Sequence, residues 1–136
     1  MATFNKFNFF VQDVANKIHN LGSDQLAVAL TDVAPTATNH VLADLTQISY
    51  TNLSSRNITT TSSTQTSGTY NLKLNNLTLT ASGTVAQYRY IVIYNSTAAS
   101  GNLIGWYDNG SEVNLINSGD IFAINFDATN GLISIT

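Results

Sequence analysis

Residues 88–95, YRYIVIYN, are apolar on both faces of an extended chain. A strand at a wet surface alternates apolar and polar residues. One that does not alternate needs cover on both sides, which places it in the middle of a sheet. A polar interruption, STAASGN (96–102), leads into a second apolar run, LIGWYD (103–108). The two runs read as neighbouring strands of one hairpin, and Gly105 beside Trp106 marks a close backbone approach or a bulge. Tyr88, Tyr90, Tyr94, Trp106 and Tyr107 crowd into this stretch. Two readings follow. The cluster is the core of the sheet, or Trp106, Tyr107 and Asp108 present an exposed sugar-binding platform at a strand end.

The rest of the chain supplies further strands. QLAVALT, 25–31, is a short apolar run and reads as a buried strand. ITTTSSTQT, 58–66, is rich in β-branched threonine and reads as a wet strand. TYNLKLNNLTLTA, 69–81, alternates cleanly, broken at Asn75–Asn76 by a tight hairpin or a bulge. Val113 and Leu115 alternate in EVNLI, and IFAINF (121–126) puts Phe122, Ile124 and Phe126 on one face. NSGD (117–120) is a turn, DATNG (127–131) a hairpin loop, and LISIT a last strand. Residues 32–48 hold the single proline, Pro35, and read as a loop with one helical turn near Val41–Leu45. Residues 49–57 read as an exposed connection.

Residues 4–21 have a different period. Phe4, Phe7, Val11, Val14, Ile18 and Leu21 recur at three- and four-residue steps, which predicts an amphipathic helix stopped by Gly22. That helix packs on the sheet or docks on a neighbouring subunit. The expected fold is mainly β: a β-sandwich or flattened barrel of short antiparallel strands with one N-terminal amphipathic helix. Residues 1–136 make a single domain, its sandwich formed mostly by 25–31 and 58–136.

Only 10% of the residues are charged, and the net charge is −3. Serine, threonine and asparagine supply most of the polarity. Such a surface is desolvated against a partner at lower cost than a charged one. The basic residues Lys6, Lys17, Arg56, Lys73 and Arg89 are scattered, whereas nucleic-acid binding needs a basic stripe. No apolar run approaches the roughly 20 residues of a membrane span, and the first residues lack the pattern of a secretory signal. Cysteine is absent, which leaves no disulfide or thiol chemistry. The sequons at Asn52, Asn57, Asn76, Asn95 and Asn109 are what an Asn/Ser/Thr-rich chain makes by chance.

No catalytic, cofactor or metal site is expected. His19 falls on the polar side of the expected helix and His40 in the loop after Pro35, so both are read as surface residues without metal-ligand spacing. Asp24, Asp32, Asp44, Asp108, Asp120 and Asp127 sit at turns or element ends, where aspartate caps local N–H groups. Glu112 follows an ordinary turn, DNGS. Neither DNGSE nor DATNGL has the ligand spacing of a calcium loop, and no nucleophile elbow, P-loop or dinucleotide fingerprint occurs.

HNLGSDQLAVALTDVAPTATNHVLADLTQI (19–48), YRYIVIYN with LIGWYD (88–108) and FDATNGLISI (126–135) together resemble, in order, a family of small tailed-bacteriophage virion proteins. The departure is at 49–57, where that family's pattern leads one to expect a longer glycine-rich stretch. The resemblance implies a non-enzymatic structural protein of the virion, a head decoration (cement) protein on the capsid exterior, made in the host bacterial cytoplasm. Its implied partners are the major capsid protein and further copies of itself as a homo-oligomer, with a trimer among the forms allowed. The same motifs allow a tail or connector component. A carbohydrate-binding β-sandwich remains the alternative from a different class.

Overall fold

The computed structural model describes residues 2–136. Ten strands and one short α-helix follow in chain order: β1 (Phe4–Lys6), α1 (Phe10–Ala15), β2 (Leu26–Thr31), β3 (Asn57–Ile58), β4 (Thr60–Thr66), β5 (Thr69–Leu74), β6 (Leu77–Thr80), β7 (Tyr88–Asn95), β8 (Leu103–Val113), β9 (Ile121–Ile124) and β10 (Ile133–Ile135). A 3-10 turn at Leu42–Asp44 interrupts the long β2–β3 connection. The largest sheet has the order β1-β8-β7-β2-β3; β10-β5-β4 and the pair β6-β9 are separate. Among the described residues, every pairing between these strands is antiparallel. The fold is mainly β and sandwich-like, as the sequence pattern leads one to expect.

The apolar runs explain this arrangement. β7 lies between β8 and β2, and the five residues Ile91–Asn95 are all buried. β2 is buried at every position. One face of the large sheet, with Leu26, Val28, Leu30, Ile91, Ile93 and Ile104, meets Leu72, Leu74, Leu79, Ile124 and Ile133 from the smaller sheets in the main core. The other face, with Ala27, Ala29, Val92, Tyr94 and Leu103, is covered by Phe7, Leu42 and Leu45. Two-sided cover is therefore supplied by a second sheet layer on one side and by a loop on the other.

Tyr88 is fully buried in the main core, in an edge-to-face contact with Phe122 at 5.7 Å between ring centroids. Among the described residues its hydroxyl has no hydrogen-bond partner, and burial drives its pKa upward. A buried hydroxyl without a partner loses its water and gains nothing in return. Tyr88→Phe is therefore expected to raise stability by about 1 kcal/mol, read as a higher urea midpoint. A lower midpoint would mean that the hydroxyl has a partner after all.

The N-terminal segment departs from the expected helix over 4–21. Phe4–Lys6 instead forms β1 and pairs with Gly105–Tyr107 of β8. The helix spans only Phe10–Ala15. Its end is a Schellman turn: Lys17 takes φ +67°, the Ile18 N–H donates to the Asp13 carbonyl, and the Lys17 N–H donates to the Val14 carbonyl. Phe7, Phe10 and Leu21 are buried, but Val11 is 54% and Ile18 42% exposed. A three- to four-residue repeat across 18 residues needs one continuous helix. The bare edge of β8 offers backbone partners that a lone helix end lacks, and a six-residue helix has little stability of its own.

Three other expectations change. Asn75–Asn76 forms neither a hairpin nor a bulge: it carries the chain from β5 in one sheet to β6 in another. DATNG likewise links β9 to β10 across sheets. The DNGS stretch is not a turn between strands, because β8 runs through it to Val113, with Gly110 at φ +84°.

Candidate functional site

The aromatic cluster divides between the two faces of the sheet. Trp106 packs with the Phe7 side of the sheet, its ring 4.5 Å from that of Phe7. Tyr107 packs against the opposite, main core, 5.4 Å from Phe4. Neighbouring residues of a strand point to opposite faces, so these two rings cannot form one platform. Asp108 is engaged by Arg89, which donates from Nε at 2.7 Å and from Nη2 at 3.0 Å. Between Ile93 and Tyr94 the register slips, so that Tyr94 faces Leu103 while Ile93 faces Gly105. Ile104 is the extra residue of a bulge, which lets Leu103 and Trp106 share one face.

A second constellation gathers polar side chains from segments far apart in sequence. Asp13 of α1 is only 4% exposed. Its carboxylate receives His40 Nε2, at 3.0 Å from both oxygens, and Asn102 Nδ2 at 2.9 Å. His19 Nε2 stands 4.0 Å from the same carboxylate. On its other side, His19 Nδ1 lies 3.1 Å from Asn95 Nδ2, which also donates to Asp24 at 2.6 Å. The Asn95 side-chain oxygen accepts the backbone N–H groups of Thr97 and Ala98. His40 stacks on Phe9 with 4.1 Å between ring centres, and Asp44 accepts the N–H groups of His40 and Val41.

The network joins α1, the 19–24 turn, the 40–45 loop and the 96–102 hairpin loop at one end of the large sheet. The 40–45 loop is held further by backbone bonds from Leu103 to His40 and from Leu42 to Ser100. Over it lies an open, shallow surface lined by Leu42, Ala43, Ala98, Ala99 and Ser100, without a charged side chain. The neighbouring 47–56 segment is also fixed in place. The Tyr50 hydroxyl donates to Gln47 and accepts the Leu30 N–H. Arg56 lies 3.5 Å from the Tyr50 ring centre and donates to the Val28 carbonyl. The connection at 49–57 is mostly exposed, as expected, and is also pinned to β2 by these contacts.

His40 keeps a third of its side chain exposed, while the His19 side chain is wholly buried. The surface reading of His19 is therefore corrected. It assumed a helix that continued to residue 21, whereas the turn at Lys17 breaks the helical phase and swings the imidazole inward. Neither imidazole is hydrogen-bonded to a hydroxyl or thiol among the described residues. What the arrangement does is hold loops together. Among the described residues no group of three or more His, Cys, Asp or Glu side chains is placed to hold a metal ion. No helix there is long and apolar enough to cross a membrane.

Burial lowers the His19 pKa from its ordinary 6.5, and the charges of Asp13 and Asp24 only partly oppose this. The folded protein therefore binds that proton less readily than the unfolded chain. The contribution of neutral His19 is complete above 6.5 and is lost as the pH falls below it. Urea midpoints measured between about pH 5 and 8 are expected to decline on the acid side, and His19→Gln is expected to flatten that decline. An equal acid-side decline in the variant would assign it to other groups.

Sequence reasoning assigned Asp24 and Asp44 to local capping, which they perform through the N–H groups of Asn20, His40 and Val41. It missed Asp13, Asn95 and Asn102 as partners. All three belong to the few buried polar residues among the described residues, but nothing local marks them. No family model matches the chain, and neither a curated protein nor a solved structure does so.

Proposed function

We propose that this chain is a non-enzymatic structural protein of a tailed-bacteriophage particle, a decoration (cement) protein that binds the assembled major capsid protein shell from outside. The observation that carries the reading is the ordered likeness of residues 19–48, 88–108 and 126–135 to small virion proteins. The loop network supports it. NLGSD enters through Asp24, TNHVLADL through His40 and Asp44, and YNSTAASGN through Asn95 and Asn102. Segments that carry the likeness thus meet in one hydrogen-bonded assembly and frame one uncharged surface.

Such a surface suits a protein that covers another. Alanine and leucine gain by leaving water, serine hydroxyls cost less to desolvate than charged groups, and loops already fixed by buried hydrogen bonds lose little entropy on docking. Binding the assembled shell, and not its separated subunits, stabilises the shell by mass action, and many repeated contacts add avidity. The sugar-platform alternative is weakened by the opposite directions of Trp106 and Tyr107.

The test is binding of the purified protein to shells that lack it, read as co-sedimentation and as a raised shell melting temperature. Ala99→Arg, at an exposed loop position, is expected to fold normally and bind at least tenfold more weakly, about 1.4 kcal/mol. Absence of wild-type binding would overturn the proposal. Full binding by the variant would move the contact away from the 96–102 loop.

A further inference from the structure

The second layer ends in an edge strand whose outer backbone is unpaired among the described residues; the turn at Gly22 approaches the Ser63 side chain but makes no backbone bond to the strand. β4 pairs with β5 on one side only, and β5 pairs with β10 on its far side. Apart from its pairing with β5, no backbone hydrogen bond to residues 60–66 is found among the described residues. Natural edges are blunted by lysine, proline, inward charges or extreme shortness. β4 is seven residues long, TTSSTQT, and no charged residue or proline occurs from Asn57 to Gly68. Its one irregularity is a register slip between Thr60 and Ser62, which leaves Ser62–Thr66 regular.

The hairpin fixes which groups face outward. Ser67 and Gly68 both take positive φ, 50° and 83°, as a two-residue primed turn requires. Such a turn is closed by a hydrogen-bonded pair, here Thr66 and Thr69. Alternation then makes Thr64 and Ser62 bond to β5, while Ser63 and Gln65 present their N–H and C=O groups to the open edge.

We propose that this edge is a homodimer interface, in which β4 of one copy pairs antiparallel with β4 of a second copy across a two-fold axis. The sequence of the strand favours itself as partner. With the axis at Thr64, the facing pairs are Thr64 with Thr64, Ser63 with Gln65 and Ser62 with Thr66. The Thr64–Thr64 and Ser62–Thr66 pairs are hydroxyl pairs, which are favourable across strands, and no like charges oppose each other. The product is one continuous six-stranded sheet with a closed, isologous contact. The inference does not depend on the virion reading, because the isolated chain suffices to test it.

Sedimentation velocity across the micromolar range is the experiment, with two variants. The wild type is expected to be a dimer. Thr64→Lys places two ammonium groups face to face across the axis and is expected to sediment as a monomer that still unfolds in one cooperative transition, its melting temperature lowered only to that of the dissociated wild type at high dilution. Ala128→Lys, an exposed position in the loop before β10, adds the same charge elsewhere and is expected to remain dimeric. Should Thr64→Lys fail to fold, hydrogen exchange of the wild type decides: the Ser63 and Gln65 amides are expected to lose protection on dilution. A wild-type monomer, an oligomer that Thr64→Lys leaves intact, or exchange at those amides that is independent of concentration would each overturn the proposal.

Discussion

Asp13→Ala is expected to lower stability by about 3 kcal/mol, the scale for removing one member of a buried, hydrogen-bonded polar group. The change leaves Asn102 Nδ2 and His40 Nε2 facing an apolar methyl. It also leaves His19 Nε2, which already lacks a hydrogen bond, without its nearby carboxylate. The loss should not stay local. Amides of the 40–45 and 96–102 loops are expected to exchange faster together, since both are tethered to the same carboxylate. Asp13→Asn keeps the volume and one acceptor, and should lose less. If Asp13→Ala lowers the urea midpoint no more than an average surface substitution, the network is not what fixes these loops.

Gly105→Ala is expected to cost about 2–3 kcal/mol and to release β1. A Cβ built on Gly105 falls within the Phe4 ring and stands 2.6 Å from the Asn5 carbonyl oxygen. The ring has moved into the space a side chain would occupy, directly beside the strand pairing of Lys6 with Gly105. Phe4 can turn aside, but the Asn5 oxygen belongs to the backbone of β1 and moves only if the strand does. The amides of Phe4 and Lys6 should therefore lose protection from exchange before the rest of the large sheet. Wild-type protection at both would show that β1 is held independently of the close approach at Gly105.

These two sites mark where local sequence pattern stops being informative. QLAVALT and YRYIVIYN are legible because their cover on both faces is written into the residues themselves. The glycine beside Trp106 is legible as a close approach or a bulge, and both are present: Phe4 lies against Gly105, and the bulge falls at Ile104. The phenylalanines of 4–10 are misleading because their spacing fits a helix, while the pairing that wins is with a strand about a hundred residues later. The loop network is harder still. Asp13 meets His40 across 27 positions and Asn102 across 89. Each of these residues also has a sufficient local explanation, as a polar helix residue or a loop asparagine. Only the end of the helix at Asn16 and the return of the 40–45 loop over the sheet bring them together.

The proposal that this chain coats a phage shell can be decided by counting. Quantitative mass spectrometry of purified virions gives the number of copies of this chain for each copy of the major capsid protein. The account predicts a simple integer ratio repeated over the whole shell. A handful of copies per particle would place the chain in the tail or connector, and its absence from the particle would contradict the virion reading altogether.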